Sequence, residues 1–374
     1  MAGQLRNGAE EWLWVSVLVG LTVSTIIAAF WIGAKVGIPT ANIIDGYAYA
    51  ISLVTPVILI GAAAILTTRA AILRVESPIN AVKPFLKSRF GSPALVAGTV
   101  TPMLIMPLLM GAFGALKQFM PLVAPFSADK WLPQIGRTIF RIPAWRFTHA
   151  LFGDPFSTMV IDRLYTAWVP FLFVIVFMVS VFAPRTIRAR FFLSFAAAWV
   201  LLGLVAAYLF SSAGPCYAAY VGAPTANDYA PLMQRLHAID AAGYHLGALE
   251  WQSQLWDAYS HHRYGFALGI SAFPSMHNAI SFLYVLAAWK ARPWLRILAW
   301  TFASIILIGS VHLGWHYIAD GLVAWPAMAV IWWGSGLYLR KCGYDAAVEE
   351  EDYEFSRPAP AIPAADEKPE LLAA

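Results

Sequence analysis

Long apolar segments recur along this chain of 374 residues, and they limit what it can fold into. A helix needs about 20 mostly apolar residues to cross a bilayer, because every backbone polar group must be satisfied within the hydrocarbon. Only 12% of the residues are charged, whereas a soluble domain has about 25%. The sequence therefore predicts an all-α, polytopic membrane helix bundle. Its eight predicted transmembrane helices are residues 12–33, 47–67, 94–116, 167–182, 191–210, 273–289, 295–315 and 317–339.

Basic residues in the short connections indicate how this bundle is oriented. Lysine and arginine are enriched in the cytoplasmic loops of membrane proteins. Clusters of them follow the second, fourth, sixth and eighth predicted spans, so all four clusters fall on one side. Both termini are therefore expected in the cytoplasm, with the two long outer segments, 117–166 and 211–270, on the periplasmic or lumenal side. The clusters consist of Arg69, Arg74, Lys83, Lys87 and Arg89; Arg185, Arg188 and Arg190; Lys290, Arg292 and Arg296; and Arg340 and Lys341.

Three regions follow from this arrangement. Residues 1–93 are expected to form an N-terminal pair of transmembrane helices with a cytoplasmic loop, and residues 94–340 a six-helix core. Residues 341–374 turn acidic and then proline-rich, a composition that cannot bury a core, so a disordered cytoplasmic tail is expected. The outer segment 117–166 carries tryptophans typical of a membrane interface, which favours a partly helical stretch lying on the membrane surface.

A histidine and an aspartate at the start of the eighth span are the first candidates for chemistry. His316 and Asp320 are four residues apart, and such positions lie on one face of a helix. The carboxylate can then orient the imidazole and raise the basicity of its second nitrogen. An ionisable residue inside a span is a functional hypothesis by default, because a central Asp costs about 2.5–3.5 kcal/mol on insertion scales.

A second histidine, His277, stands at the start of the sixth predicted span, directly after the sequence FPSM. Ser275 is a candidate N-cap, and free amides at the start of a helix favour an anion such as phosphate. Two histidines on either side of one phosphorus can divide the reaction, one attacking and the other protonating the leaving oxygen. Taken alone, His277 is more simply a head-group contact. The catalytic interpretation depends on its combination with His316 and Asp320.

His312 permits an alternative, because it lies four residues before His316 and this spacing is also typical of metal ligands on a helix. Only Asp320 could extend that ligand set, so the metal site is the weaker hypothesis. His312 is instead expected to line the pocket and to touch phosphate or lipid. No long basic run is present, which argues against nucleic acid as a partner.

These motifs resemble those of the type 2 phosphatidic acid phosphatase superfamily. Its members carry a Pro-Ser-Gly-His motif and, one helix later, a Ser-Arg motif followed by a His and then an Asp four residues further on. Here the first motif reads PSMH and ends at His277, and the second reads GSVHLGWHYIAD, with His316, Tyr317 and Asp320 in register. The resemblance covers roughly residues 162–325. It implies a six-helix core with both motifs at its outer end.

Three departures from the family pattern bear on the substrate. Ser310 replaces the motif arginine, Met276 replaces the motif glycine, and SSAGPCY stands where a lysine-rich first motif is expected. An arginine grips the doubly charged phosphate of a monoester with two hydrogen bonds, whereas a singly charged diester needs less. The pattern FPSMH with HYxxD is more similar to the branch that contains fungal inositol phosphorylceramide synthase.

This branch implies transfer of a phosphorylated head group from a glycerophospholipid to ceramide, with no metal or other cofactor. By this resemblance, His316 would be the nucleophile that forms a phosphohistidine, Asp320 its orienting partner, and His277 the general acid and then the general base. Ser275 would bind phosphate, and Arg263 is a candidate substitute for the missing arginine. The full expected substrate-binding set is Pro274, Ser275, Met276, Ser310, His312, Tyr317 and Arg263.

Two other functions stay open beside this transferase. One is a phosphatase acting on phosphatidate or a polyprenyl phosphate, and the other is a lipid transporter or scramblase without catalysis. Each has membrane lipids as its partners. Replacing His316 would abolish either enzyme activity and leave a transporter intact. The spans lack mid-membrane charge pairs, which argues against a coupled transporter.

Overall fold

A computed structural model describes residues 8–72 and 78–345, and within them the chain is helical with no β-strand. Residues 201–206 form a π-helical stretch within the helix that runs from Arg185 to Leu209. The helices, in chain order, are α1 (Glu11–Val36), α2 (Thr40–Ile72), α3 (Pro78–Phe90), α4 (Pro93–Val123), α5 (Leu132–Phe140), α6 (Ala144–Phe152), α7 (Pro155–Thr166), α8 (Trp168–Phe182), α9 (Arg185–Leu209), α10 (Ala226–Ile239), α11 (Gly247–Ser260), α12 (Met276–Ala287), α13 (Pro293–His312) and α14 (Ile318–Lys341).

Six helical stretches among the described residues are long and apolar enough to cross a membrane. They are α1, α4, the continuous stretch Pro155–Phe182 made by α7 and α8, α9, α13 and α14. Some large apolar side chains on these helices, such as Ile27 and Trp31, are more than half exposed, as expected for surfaces that face lipid. The prediction of an all-α, multi-pass membrane bundle is confirmed.

Three predicted boundaries differ from the structure. The sixth predicted span is a helix of only 12 residues, α12, because the chain before Met276 is not helical and the helix ends at Ala287. The second predicted span lies within α2, which is not among the six stretches. The third continues to Val123 rather than ending near Leu116, because Phe119 and Met120 beyond the apolar run are fully buried. Lys117 therefore belongs to α4 and not to the outer segment. The predicted disordered tail, from residue 346 onward, lies outside the described residues.

The core of the bundle is built around the short helix α12. It packs against α9, α13 and α14, and its residues Ala279, Ile280 and Leu283 are completely buried. The amphipathic helices α5 and α6 cover this group from one end, where α5 contacts α14 and α6 contacts α13. The two sequence motifs stand at the starts of α12 and α14, so packing of these helices brings the motifs together.

A buried ionic cluster joins α1 to α9 and to Tyr344, three residues after the end of α14. The Glu11 carboxylate lies 2.6 Å from Nε of Arg185 and 3.2 Å from a guanidinium nitrogen of Arg188. It also accepts hydrogen bonds from the Trp14 indole at 2.8 Å and from the Tyr344 hydroxyl at 3.0 Å. A buried carboxylate is tolerated only with such partners, so this cluster fixes how α1 docks on the core.

Candidate active site

His316 lies in the five-residue connection between α13 and α14. Gly314 takes a left-handed conformation there, with φ of 74°, which reverses the chain direction after α13. The backbone N–H of His316 donates to the Ser310 carbonyl at 2.9 Å. The imidazole is therefore held in a tight turn at the end of the bundle.

Asp320 contacts His316 from the first turn of α14. Its Oδ2 lies 3.2 Å from Nδ1 of His316 and accepts a hydrogen bond from the Tyr317 backbone N–H at 3.1 Å. The carboxylate is completely buried. The predicted pair is present, but its geometry differs from the helix-face argument, since α14 begins at Ile318 and His316 precedes it. The aspartate reaches back over the start of its helix.

His277 is the second residue of α12, and its ring faces this pair. The ring centroids of His277 and His316 are 6.0 Å apart. Two aromatic side chains hold the His277 ring, Tyr165 at 5.1 Å and Trp168 at 4.2 Å between centroids. The structure thus brings together the three residues that the sequence analysis selected for chemistry.

Ser275 caps α12, and a buried asparagine connects it to the second motif. The Ser275 hydroxyl accepts from the backbone N–H of Asn278 at 3.3 Å and from the Asn278 side-chain amide at 3.0 Å. The same amide nitrogen lies 3.3 Å from the hydroxyl of Ser310, which donates to the Leu307 carbonyl. Asn278 was not selected from the sequence, since a polar residue one position after a motif carries no distinguishing signal.

Tyr317 connects the site to a buried carboxylate that sequence reasoning also missed. Its hydroxyl donates to Asp129 at 3.0 Å. The carboxylate also accepts from the Ser212 hydroxyl and from the backbone N–H groups of Ala213 and Gly214, at 2.7 to 3.0 Å. Burial raises the pKa of Asp129, and these hydrogen bonds act in the opposite direction. Asp129 therefore holds SSAGPCY, the segment at the position of the missing first motif, against the second motif.

His312 is the last residue of α13, and its ring is occupied by contacts with other residues. Its Nε2 is 3.1 Å from the Thr158 hydroxyl and its Nδ1 is 3.3 Å from the Thr148 hydroxyl. The ring stacks on His149 with 3.9 Å between centroids. A role for His312 toward phosphate or lipid stays a prediction. Its two nitrogens do not turn toward His316 as a metal pair would require.

The remaining predicted residues occupy different environments. Pro274 is buried and precedes the cap, and Met276 is half-buried near Gly203. Arg263 is exposed and forms an ion pair with Asp257. Its substitution for the missing arginine stays a prediction, and Asp257 already provides a partner for its charge.

A small, narrow cleft opens on the second motif. His316 and Tyr317 form one wall, and the amphipathic helices α5 and α6 supply much of the rest. The lining residues are Leu132, Pro133, Gly136, Ala144, Trp145, Tyr229, Val311, His316, Tyr317 and Ile318. Apart from the histidine and two tyrosines, the lining residues are mostly apolar.

The electrostatics of the site keep His316 neutral at physiological pH. Burial lowers its pKa to about 3, hydrogen bonding with the Ala272 backbone raises it, and the positive charge of Lys117 lowers it. A neutral imidazole has a lone pair available for attack on phosphorus. The site therefore holds an uncharged potential nucleophile, an orienting carboxylate and a second imidazole.

A comparison with protein families agrees with this geometry. The family model described as the PAP2 superfamily matches residues 130–334, which is more than half of the chain. The protein therefore belongs to the PAP2 superfamily, and an activity of the lipid phosphatase or phosphotransferase type follows from that membership. No curated protein and no solved structure matches the chain.

Proposed function

We propose that this membrane enzyme transfers a phosphorylated head group, of the inositol phosphate type, from a phospholipid to a lipid hydroxyl such as that of ceramide. The observation that carries the proposal is the buried pair of His316 and Asp320 facing His277, with a serine at the position of the family arginine. The superfamily comparison supports the reaction type. The choice of transfer rests on the departures in the motifs.

The reaction is a double displacement at phosphorus. In the first half, the neutral His316 imidazole attacks, an N–P bond forms, and the P–O bond to diacylglycerol breaks. The leaving alkoxide takes a proton from His277, which the negative charge of the bound phosphate keeps protonated. In the second half, neutral His277 accepts the proton of the acceptor hydroxyl, whose oxygen forms the new O–P bond as the N–P bond breaks. Both imidazoles then return to their starting states.

Asp320 has an orienting role in this scheme. Its contact with Nδ1 directs the reaction to Nε2 of His316 and stabilises the positive charge that develops on the ring during attack. The Tyr317 N–H bond holds the carboxylate in position. The start of α12, with Ser275 as its cap, supplies backbone donors that favour a phosphate oxygen.

Ser310 favours a diester substrate over a monoester. A monoester phosphate carries up to two negative charges and is best held by the planar donor fork of an arginine. Ser310 is buried, its hydroxyl is already used by the Leu307 carbonyl, and it carries no charge. A phospholipid diester has a single negative charge and therefore tolerates this replacement.

The test is a product assay on the purified full chain in mixed micelles. Labelled phosphatidylinositol is offered with ceramide and, separately, labelled phosphatidate is offered alone. Transfer of the label to ceramide, lost in His316→Ala and retained in the exposed variant His261→Ala, would support the proposal. Release of phosphate from phosphatidate without transfer would replace it with a phosphatase. Inactivity of the wild type in both assays would rule out the proposed substrates.

A further inference from the structure

Lys117 lies near the end of α4, in the part of the helix that packs deepest in the bundle. Its neighbours Leu116 and Phe119 are buried, and Lys117 itself is half-buried. Among the residues that the structure describes, its ammonium group makes no hydrogen bond and no ion pair. The side chain is thus a cation in an apolar region without an internal counter-ion.

An unpaired cation in such a place needs a physical reason. Removing a charge from water costs several kcal/mol, and ionisable residues in membrane spans generally pair with one another or line a substrate pathway. In the same bundle, by contrast, Arg185 and Arg188 are paired with the carboxylates of Glu10 and Glu11. A ligand anion would give Lys117 the partner that the chain itself does not provide.

The backbone around Lys117 is fixed against the segment that enters the active site. The side chain of the next residue, Gln118, donates to the Gly265 carbonyl and accepts from the Gly265 N–H, each at 2.9 Å. A Cβ atom on Gly269 would lie 2.9 Å from Cγ of Gln118, so the two backbones approach closely. This segment continues directly into Ser275 and His277.

The charge of Lys117 also reaches the reacting groups. Its electrostatic field acts on the imidazoles of both His277 and His316. The centroids of these two rings are 6.0 Å apart, which leaves a space between them. That space is where the phosphorus must lie if one ring attacks and the other protonates the leaving group.

We infer that Lys117 binds the phosphate group of the substrate and takes the place of the arginine that Ser310 replaces. This inference rests on the proposed function and names the residue that holds the reacting group. A lysine is a compact point charge without the two-pronged geometry of arginine, which suits a singly charged phosphodiester. Lys117 precedes the family match at residues 130–334, so the family motifs give no indication of it.

Inorganic phosphate is the probe, and thermal unfolding of the full chain in detergent micelles is the readout. A ligand that binds only the folded protein raises its melting temperature. Phosphate should stabilise the wild type, and Lys117→Met should weaken apparent phosphate affinity by about 10- to 100-fold, the range expected for a hydrogen bond to a charged group. Lys117→Arg keeps the charge and should retain most of the effect.

Lys130→Met is the matched control, because Lys130 is an exposed lysine only 13 positions along the chain. It should respond to phosphate as the wild type does. Lys117→Gln provides a second neutral variant if Lys117→Met fails to fold. Equal stabilisation of the wild type and the neutral Lys117 variants would overturn the inference, and so would a wild type that phosphate does not stabilise.

This experiment separates the inference from the proposed function, since binding of phosphate needs no turnover. If the transfer assay fails but stabilisation by phosphate depends on Lys117, the phosphate site is supported and the proposed substrates are ruled out. If His316→Ala abolishes transfer while Lys117→Met leaves both KM and stabilisation by phosphate unchanged, the proposed function is supported and the role of Lys117 is ruled out.

Discussion

His316 is held from two directions, and each contact has a separate consequence for reactivity. The backbone bond to Ser310 fixes where the residue sits, and the Asp320 carboxylate contacts Nδ1, which leaves Nε2 as the attacking nitrogen of the proposed reaction. Burial keeps the ring neutral. In the proposed reaction, the turn and the carboxylate therefore act together to position the attacking nitrogen.

Asp320→Asn should lower the rate of transfer by about 100- to 10,000-fold while leaving the fold intact. The amide has nearly the shape of the carboxylate, but it cannot stabilise the imidazolium that develops during attack. The measurement is kcat in the micelle assay, with circular dichroism to verify folding. Asp257→Asn, at an exposed ion pair, is the matched control and should keep wild-type activity. Full activity of Asp320→Asn would contradict the orienting role.

The depressed pKa of His316 predicts how stability depends on pH. Its folded pKa of about 3 is below the unfolded value of about 6.5, so between these values the unfolded chain binds more protons than the folded chain. The contribution of His316 to the free energy of unfolding is therefore fully present above about pH 6.5 and is lost as the pH is lowered toward 3. The groups that act on the ring are Asp320, His277 and Lys117.

At pH 5, the titration of His316 should lower the free energy of unfolding by about 2 kcal/mol relative to neutral pH. His316→Gln removes the titration, so its stability should decline less than that of the wild type between pH 7 and 5. Unfolding by detergent at a series of pH values measures the difference. Exposed His261→Gln should follow the wild type, and parallel curves for wild type and His316→Gln would disprove the assignment.

At the scale of elements, the short helix α12 shows where sequence reasoning succeeds and where it stops. The PSMH motif, the cap at Ser275 and the helix that follows could all be read from residue order. The length of α12 could not, because apolar composition continues past the point where the helix ends. Asn278 and Asp129 were likewise missed, since hydrogen bonds between distant segments have no local pattern.

The helix α1 should depend on Glu11 for its attachment to the core. Glu11→Gln leaves Arg185 and Arg188 without their shared buried carboxylate, and breaking a buried ion pair from one side costs about 3–5 kcal/mol. Thermal unfolding in micelles measures the loss. Glu10→Gln is a matched control, because Glu10 contacts Arg185 from a more exposed position and should cost less. A smaller loss for Glu11→Gln than for Glu10→Gln would contradict the packing described.

At the scale of the whole molecule, composition was sufficient for the class of fold, because twelve per cent charge and repeated apolar runs leave few alternatives to a membrane bundle. The number of spans was less certain from sequence, because apolar length alone does not distinguish a crossing helix from a short buried one such as α12. The three predicted catalytic residues could be selected from motif spacing. Lys117 was not, since its significance depends on how α4 packs.

We also expect both termini on the cytoplasmic side and the histidine pair on the outer side, from the distribution of basic residues. Reporters active only in the cytoplasm, fused to either end, should both give signal. A single cysteine introduced at exposed Tyr220, in a chain whose own two cysteines are replaced, should react with a membrane-impermeant maleimide in intact cells. Labelling only after the membrane is permeabilised would show that the protein has the opposite orientation.

The central claim is that His316 carries the phosphorylated head group during the reaction. The most direct measurement is rapid quenching of the full chain with head-group-labelled phosphatidylinositol and no acceptor, followed by mass spectrometry of its peptides under conditions that preserve phosphohistidine. We predict an acid-labile inositol phosphate adduct on His316, absent in His316→Ala and discharged when ceramide is added. An adduct on another residue, or efficient transfer with no adduct at any time, would contradict the account.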